Sequence, residues 1–194
     1  MIYLSRILAV TMLVFALIAP HAATAGGNKH ERAAATVSRL LSDAHETVRH
    51  RGVQHLPETI SQYFAFEVWS RFLIQPRKEV FNPKQRKAFR HLLPGFMAHL
   101  YHDQFSKGLQ LAPSVGGTRK ARRDVLVGSV FPRPNGGTLP VEWRVRQQRN
   151  GESRVIDIMV GGTSFMLLKR EEFTAIIDRD GADGLLSFLR RNAL

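Results

Sequence analysis

The apolar positions of this chain change period about two thirds of the way along. Ala33, Ala34, Val37, Leu40, Leu41, Ala44 and Val48 recur every three to four residues with charges between them. That spacing predicts one amphipathic helix of about six turns, ended by Gly52. Pro57 opens a shorter helical stretch with Ile60 and Phe64 on one side, and Phe66, Trp69, Phe72 and Leu73 continue it. Asn82-Pro83 is a helix start: Asn82 accepts orphan N–H groups, Pro83 suits the first helical position, and Gln85 completes a capping-box arrangement. Phe89, Leu92, Leu93, Phe96, Met97 and Leu100 then form one stripe. Pro94 lies inside it, so a bent helix is expected to about Phe105.

Beyond this point the period falls to two. Val125 to Val130 alternates, and after the turn signal Pro134-Asn135-Gly136-Gly137 comes Val141-Glu142-Trp143-Arg144-Val145-Arg146, with one wet and one dry face. Asn150-Gly151 marks another tight turn. Arg154 to Val160 and Ser164 to Lys169 read as two further strands broken at Gly161-Gly162, with Val155 to Val160 central. Leu109 to Pro113 is a candidate leading strand. Helical spacing returns through Phe173, Ile176, Ile177, Leu185, Leu186, Phe188 and Leu189. Helices, an antiparallel meander, then helices predict an α+β fold. A curved sheet of four to five strands packs against a helical layer.

The N-terminus has a different character. Arg6 precedes an uncharged, mostly apolar run from Ile7 to Ala19, and Ala23-Thr24-Ala25 places small residues where a signal peptidase reads. This is the pattern of a secretory leader over residues 1–25. The run is short for a bilayer span, which needs roughly 20 residues. A single domain over 26–194 is expected to follow. The chain has no Cys, which excludes disulfides, thiolate chemistry and lipid attachment at a cleavage-site Cys. Its 28 Lys and Arg outnumber 16 Asp and Glu, for a formal charge of +12. Such a field attracts polyanions or anionic membranes. No nucleic-acid motif accompanies it, and export favours phospholipid headgroups over nucleic acid as the partner.

Several short motifs, in order and spacing, resemble one family. Val155-Ile156-Asp157-Ile158-Met159-Val160-Gly161-Gly162-Thr163-Ser164-Phe165 is similar to its strand-turn-strand. Arg170-Glu171-Glu172-Phe173 resembles its "R-x-E-F" helix opening, and Gly181-Ala182-Asp183-Gly184-Leu185 its "G-x-D-G-L". Pro83 to Phe89 resembles its "P-x-Q-R-x-x-F" helix start, followed at the right distance by Tyr101. The family is that of the MlaC-type periplasmic phospholipid-binding proteins, or toluene-tolerance proteins, with their hopanoid-associated relatives. The resemblance covers roughly residues 33 to 192. It implies a periplasmic shuttle that holds acyl chains in an apolar cavity between sheet and helices. Such a shuttle exchanges lipid with an inner-membrane ABC transporter bearing an MCE-domain ring and with an outer-membrane lipoprotein complex. A monomer without cofactor is expected.

The chemistry of the residues fits an acyl ligand. A chain gains about 0.8 kcal/mol per CH₂ removed from water, so an apolar cavity needs no specific polar contact. Candidate lining residues are Phe64, Phe66, Trp69, Phe72, Phe89, Phe96, Leu100, Val127, Val141, Trp143, Val145, Ile158 and Phe165. A close-packed core would use the same residues. Two basic clusters are candidates for headgroup or membrane docking: Arg86 and Arg90 with Lys84 and Lys87, then Arg119, Arg122 and Arg123 with Lys120. The second is placed before a strand. A solvated basic face has the same composition.

Catalytic signals are few. Ser164 lacks a G-x-S-x-G elbow. His99, His102 and Asp103 lack the further ligands of a zinc site. Asp157, in an apolar strand, needs hydrogen-bond partners, and a structural role is expected for it. The alternatives to a phospholipid carrier are a carrier of a hopanoid or other polycyclic lipid, an envelope lipid-acting enzyme, and a structural adaptor.

Overall fold

The computed structural model describes residues 28–105, 113–133 and 136–194. The expected leader, and the part of the candidate strand Leu109 to Pro113 before Pro113, lie outside the described residues. Helix α1 spans Lys29–His50 and starts with a capping box. The Asn28 side chain accepts from the backbone of His30 and Glu31, while Glu31 reaches back to the Asn28 N–H. Its buried positions include Ala33, Val37, Leu40, Leu41 and Ala44, the stripe the sequence spacing predicts. Gly52 follows with φ 87°, a left-handed conformation open to glycine. Helices α2 (Leu56–Ser61) and α3 (Phe66–Ile74) come next.

Helix α4 runs from Pro83 to Phe105 with Pro94 inside it. Its start is the predicted one: Gln85 N–H donates to the Asn82 side chain at 2.9 Å, and Asn82 N–H donates back to Gln85 at 3.0 Å.

Among the described residues, five strands form one antiparallel sheet in chain order: β1 (Ser114–Ala121), β2 (Asp124–Pro132), β3 (Thr138–Gln147), β4 (Ser153–Val160) and β5 (Thr163–Ser164). The register puts Val127 opposite Trp143 and Ser129 opposite Val141. On the other side Trp143 faces Ile158 and Val141 faces Val160. Alternation then sends these residues to one side of the sheet and Arg144 and Arg146 to the other. A bulge in β4 at Ile156, opposite the Arg144–Val145 step, shifts this alternation by one residue. Helix α1 packs across β1 to β4, and α2 to α5 pack beside it and on one another. The fold is therefore α+β, a five-stranded sheet beneath helices.

Three expectations need correction. The central strand is β3, whereas β4 has only the two-residue β5 beyond it. The exposed edge of β4 is closed instead by the segment between α2 and α3. Val155 N–H donates to the Tyr63 carbonyl at 2.8 Å, and Ala65 N–H donates to the Val155 carbonyl at 3.0 Å. Pro113 lies outside any strand, and the first strand begins at Ser114. The second basic cluster does precede a strand, β2, and its first half also lies within β1. Arg119 and Lys120 belong to β1, and Arg122 and Arg123 form its hairpin turn to β2, with Arg122 at φ 56°. Finally, the run from Phe165 to Lys169 is helical. Helix α5 spans Phe165–Arg191, interrupted at Gly181 where φ is 70°.

The reason for that last difference lies in two side chains. Ser164 caps α5, its hydroxyl oxygen accepting from the Leu167 N–H at 3.2 Å. Asp157 accepts from the Met166 N–H at 3.2 Å and from the Ser164 hydroxyl at 2.7 Å. Two of the orphan N–H groups of the helix start are satisfied in this way. Asp157 also accepts from the Ile158 N–H at 2.8 Å, so the carboxylate in the apolar strand has the structural role expected of it.

Candidate lipid cavity

Between the sheet and the helices lies a cavity of about 280 Å³. Its sheet wall is Leu139, Val141 and Trp143 of β3 with Ile158 and Val160 of β4. Leu40 and Ala44 of α1, with Ile60 and Phe64, form the inner end. Met97, Leu100 and Tyr101 of α4 form a side, and Phe165 and Lys169 of α5 close the rim. Leu40, Ala44, Ile60 and Phe64 are buried, whereas Val160 is exposed and Leu139, Ile158, Phe165, Lys169, Leu100 and Tyr101 are half-buried, so the cavity opens where the start of β3, the end of β4, the start of α5 and the last turns of α4 come together. Its size is near the lower end of the range for small-molecule pockets, about 300–1,000 Å³.

Among the described residues, Lys169 is the only charged one in the lining. Its ammonium lies 2.6 Å from a carboxylate oxygen of Glu172. It also lies 5.7 Å from the ring centre of Phe96 and 5.6 Å from that of Phe165. Burial pushes the Tyr101 phenol up to about 12, so it is neutral at ordinary pH. The polar edge of Trp143 is engaged within the sheet. The Trp143 indole N–H donates to the Ser129 hydroxyl at 2.8 Å, and Ser129 donates to the Val141 carbonyl at 3.2 Å.

Of the expected lining residues, the structure brings Phe64, Leu100, Val141, Trp143, Ile158 and Phe165 to this cavity. It does not bring the other seven there. Phe66 and Trp69 stand behind Phe64, their ring centres 5.6 and 5.3 Å from its own. Phe89 and Phe96 pack against Phe173. Val127 and Val145 are buried in the core outside the lining.

Phe72 lines a different hollow, of about 530 Å³, on the other side of the sheet, with the Arg170 guanidinium 4.5 Å from its ring centre. That hollow is the larger, but Arg144, Arg146, Asp157 and Ser164 line it as well. An acyl chain lying there would take water from these charged and polar groups and offer no hydrogen bond in return, which costs free energy. The apolar cavity is the better fit to lipid.

Residues the sequence reading did not single out complete the site: Leu40, Ala44, Ile60, Met97, Tyr101, Leu139, Val160 and Lys169. Helical spacing marks Leu40 and Ala44 as inward-facing without distinguishing wall from core. Nothing in the sequence around Lys169 signals its place.

None of the five expected docking arginines lines the cavity. Arg86 donates to the Lys78 carbonyl at 2.9 Å, and Arg90 pairs with Glu67. Arg119 makes a two-point bond with Glu142, both contacts 2.9 Å. Arg122 and Arg123 are exposed on the hairpin turn. Of the candidate catalytic groups, Ser164 and Asp157 are engaged with each other and with the start of α5, while His99 pairs with Asp103 at 3.3 Å. Among the described residues no helix is long and apolar enough to cross a membrane.

The sequence profile of the MlaC protein family matches residues 31–191. No curated protein matches the chain significantly. A solved structure with the same fold is that of a phospholipid-binding protein from Ralstonia solanacearum in complex with a phospholipid. The TM-score is 0.67 at 20% sequence identity, over 86% of this chain and 97% of that one.

Proposed function

As this chain belongs to the MlaC family, we propose that it is a periplasmic carrier that holds the acyl chains of a phospholipid in the cavity beneath α1. The observation that carries this reading is the lining itself: among the described residues it is apolar on the sheet wall, the inner end and the α4 side, with one cation at the rim. Removing acyl CH₂ groups from water provides affinity at about 0.8 kcal/mol each, and the open rim leaves the headgroup in water. The chain is exported through the leader at residues 1–25. It acts as a monomer, passing lipid between an inner-membrane MCE-domain ABC transporter complex and an outer-membrane lipoprotein complex.

Arg86, Arg90, Arg119, Arg122 and Arg123 serve docking rather than cavity affinity. Exposed charges act over about a Debye length, near 8 Å at physiological salt. The protein carries lipid without chemical turnover: Ser164 and Asp157, two of the candidate catalytic residues, already serve to start α5. The test is solvent extraction of protein made in a bacterial host, followed by lipid mass spectrometry. A carrier returns about one phospholipid per chain. A structural adaptor returns none, an enzyme returns cleaved products, and a polycyclic-lipid carrier returns that lipid in place of phospholipid.

A further inference from the structure

We infer that the Lys169–Glu172 ion pair at the rim makes the cavity selective for lipids with a zwitterionic headgroup, a phosphate and an ammonium together, over purely anionic ones. The inference rests on the carrier reading above and adds the substrate class. Phe165, Lys169 and Glu172 stand at i, i+4 and i+7 of α5, one face of the helix. Phe165 and Lys169 line the cavity, and Glu172 holds the ammonium at 2.6 Å. The Lys169 side chain is 19% exposed and that of Glu172 39%. The rings of Phe96 and Phe165 flank the cation and limit where it can go.

A lipid whose chains fill the cavity brings its phosphate to this rim. The phosphate is drawn to the Lys169 ammonium, as to any accessible cation. Glu172 decides what happens next. An anionic headgroup takes Lys169 from Glu172 and leaves two negative groups near one positive one. A headgroup that also carries an ammonium supplies Glu172 with a new partner, and each of the four charges ends beside an opposite one. Because both side chains reach water, the difference is that of a partly exposed pair, about two- to fivefold in relative loading.

The experiment presents delipidated protein with vesicles containing equal amounts of phosphoethanolamine and phosphoglycerol lipids with identical acyl chains. Bound lipid is then counted by mass spectrometry. The wild type is expected to be enriched about two- to fivefold in the phosphoethanolamine lipid. Glu172→Gln is expected to lose that enrichment. Glu171→Gln makes the same change of charge on a neighbouring exposed residue and is expected to keep it. Equal loading of the wild type overturns the inference while leaving the carrier reading intact, as does enrichment that survives Glu172→Gln or disappears equally in Glu171→Gln. No uptake of either lipid overturns both.

Discussion

The Trp143 indole N–H donates to the Ser129 hydroxyl at 2.8 Å within the sheet. Ser129 is buried and donates its own O–H to the Val141 carbonyl. The bond fixes the ring with its polar edge in the sheet and its apolar surface on the cavity. Ser129→Ala leaves a buried donor unpaired, which costs about 1–3 kcal/mol. Chemical denaturation monitored by tryptophan fluorescence is the check. A variant as stable as the wild type would mean that the indole finds another acceptor and that the bond does not fix the wall.

Two neighbouring valines on one strand separate wall from core. Val141 lines the cavity, whereas Val145, four residues on and on the same side of the sheet, does not. Extra bulk at Val145 meets close packing and costs about 1–3 kcal/mol. Val141→Trp should lower bound phosphorus per chain with little change in the melting temperature of delipidated protein. Val145→Trp should lower the melting temperature and retain lipid. The same loss pattern in both variants would remove the distinction between the positions.

The alternation Val141-Trp143-Val145 made the dry face of β3 legible in the sequence, as the spacing of Leu40 and Ala44 did for α1. Which dry residues meet a void was not legible, because period two specifies a face and says nothing about what stands across from it. That depends on where α1 and α4 come to rest above the sheet. Phe89 and Phe96 share the stripe of Leu100 but meet Phe173 instead of the cavity. Phe165 to Leu168 is an apolar run with no period of its own. It becomes helical through Ser164 and Asp157, and the Asp157 contact with Met166 spans nine residues, beyond a local reading. Lys169 stands in a run of mixed character, and only the fold sets it at the rim.

Asp124 has no exposed surface and is held by two guanidinium groups. Arg146 donates to it at 2.7 and 2.9 Å and Arg144 at 2.8 Å. Burial by itself would raise its carboxyl. The bonds from Arg146 and Arg144 outweigh that effect and hold it below the usual carboxylate range. Folding therefore favours the ionised form. This stabilisation is present above the unfolded-state pKa of about 3.9 and is lost as the pH falls through the lower folded-state value. Asp124→Asn should be less stable than the wild type by about 3 kcal/mol at pH 7. The gap should narrow in acid, as read from urea denaturation at several pH values. A gap unchanged down to the acid limit of folding would show that the charge contributes nothing.

The central claim is that acyl chains lie between α1 and the sheet, with the headgroup at the start of α5. The most direct measurement is photocrosslinking with a phospholipid that carries a diazirine near the end of one acyl chain, followed by peptide mapping. The account predicts adducts at the inner end of the cavity, on Leu40, Ala44 or Ile60. Adducts confined to the hollow around Phe72 and Met159 on the other side of the sheet would contradict it, as would labelling of exposed surface alone.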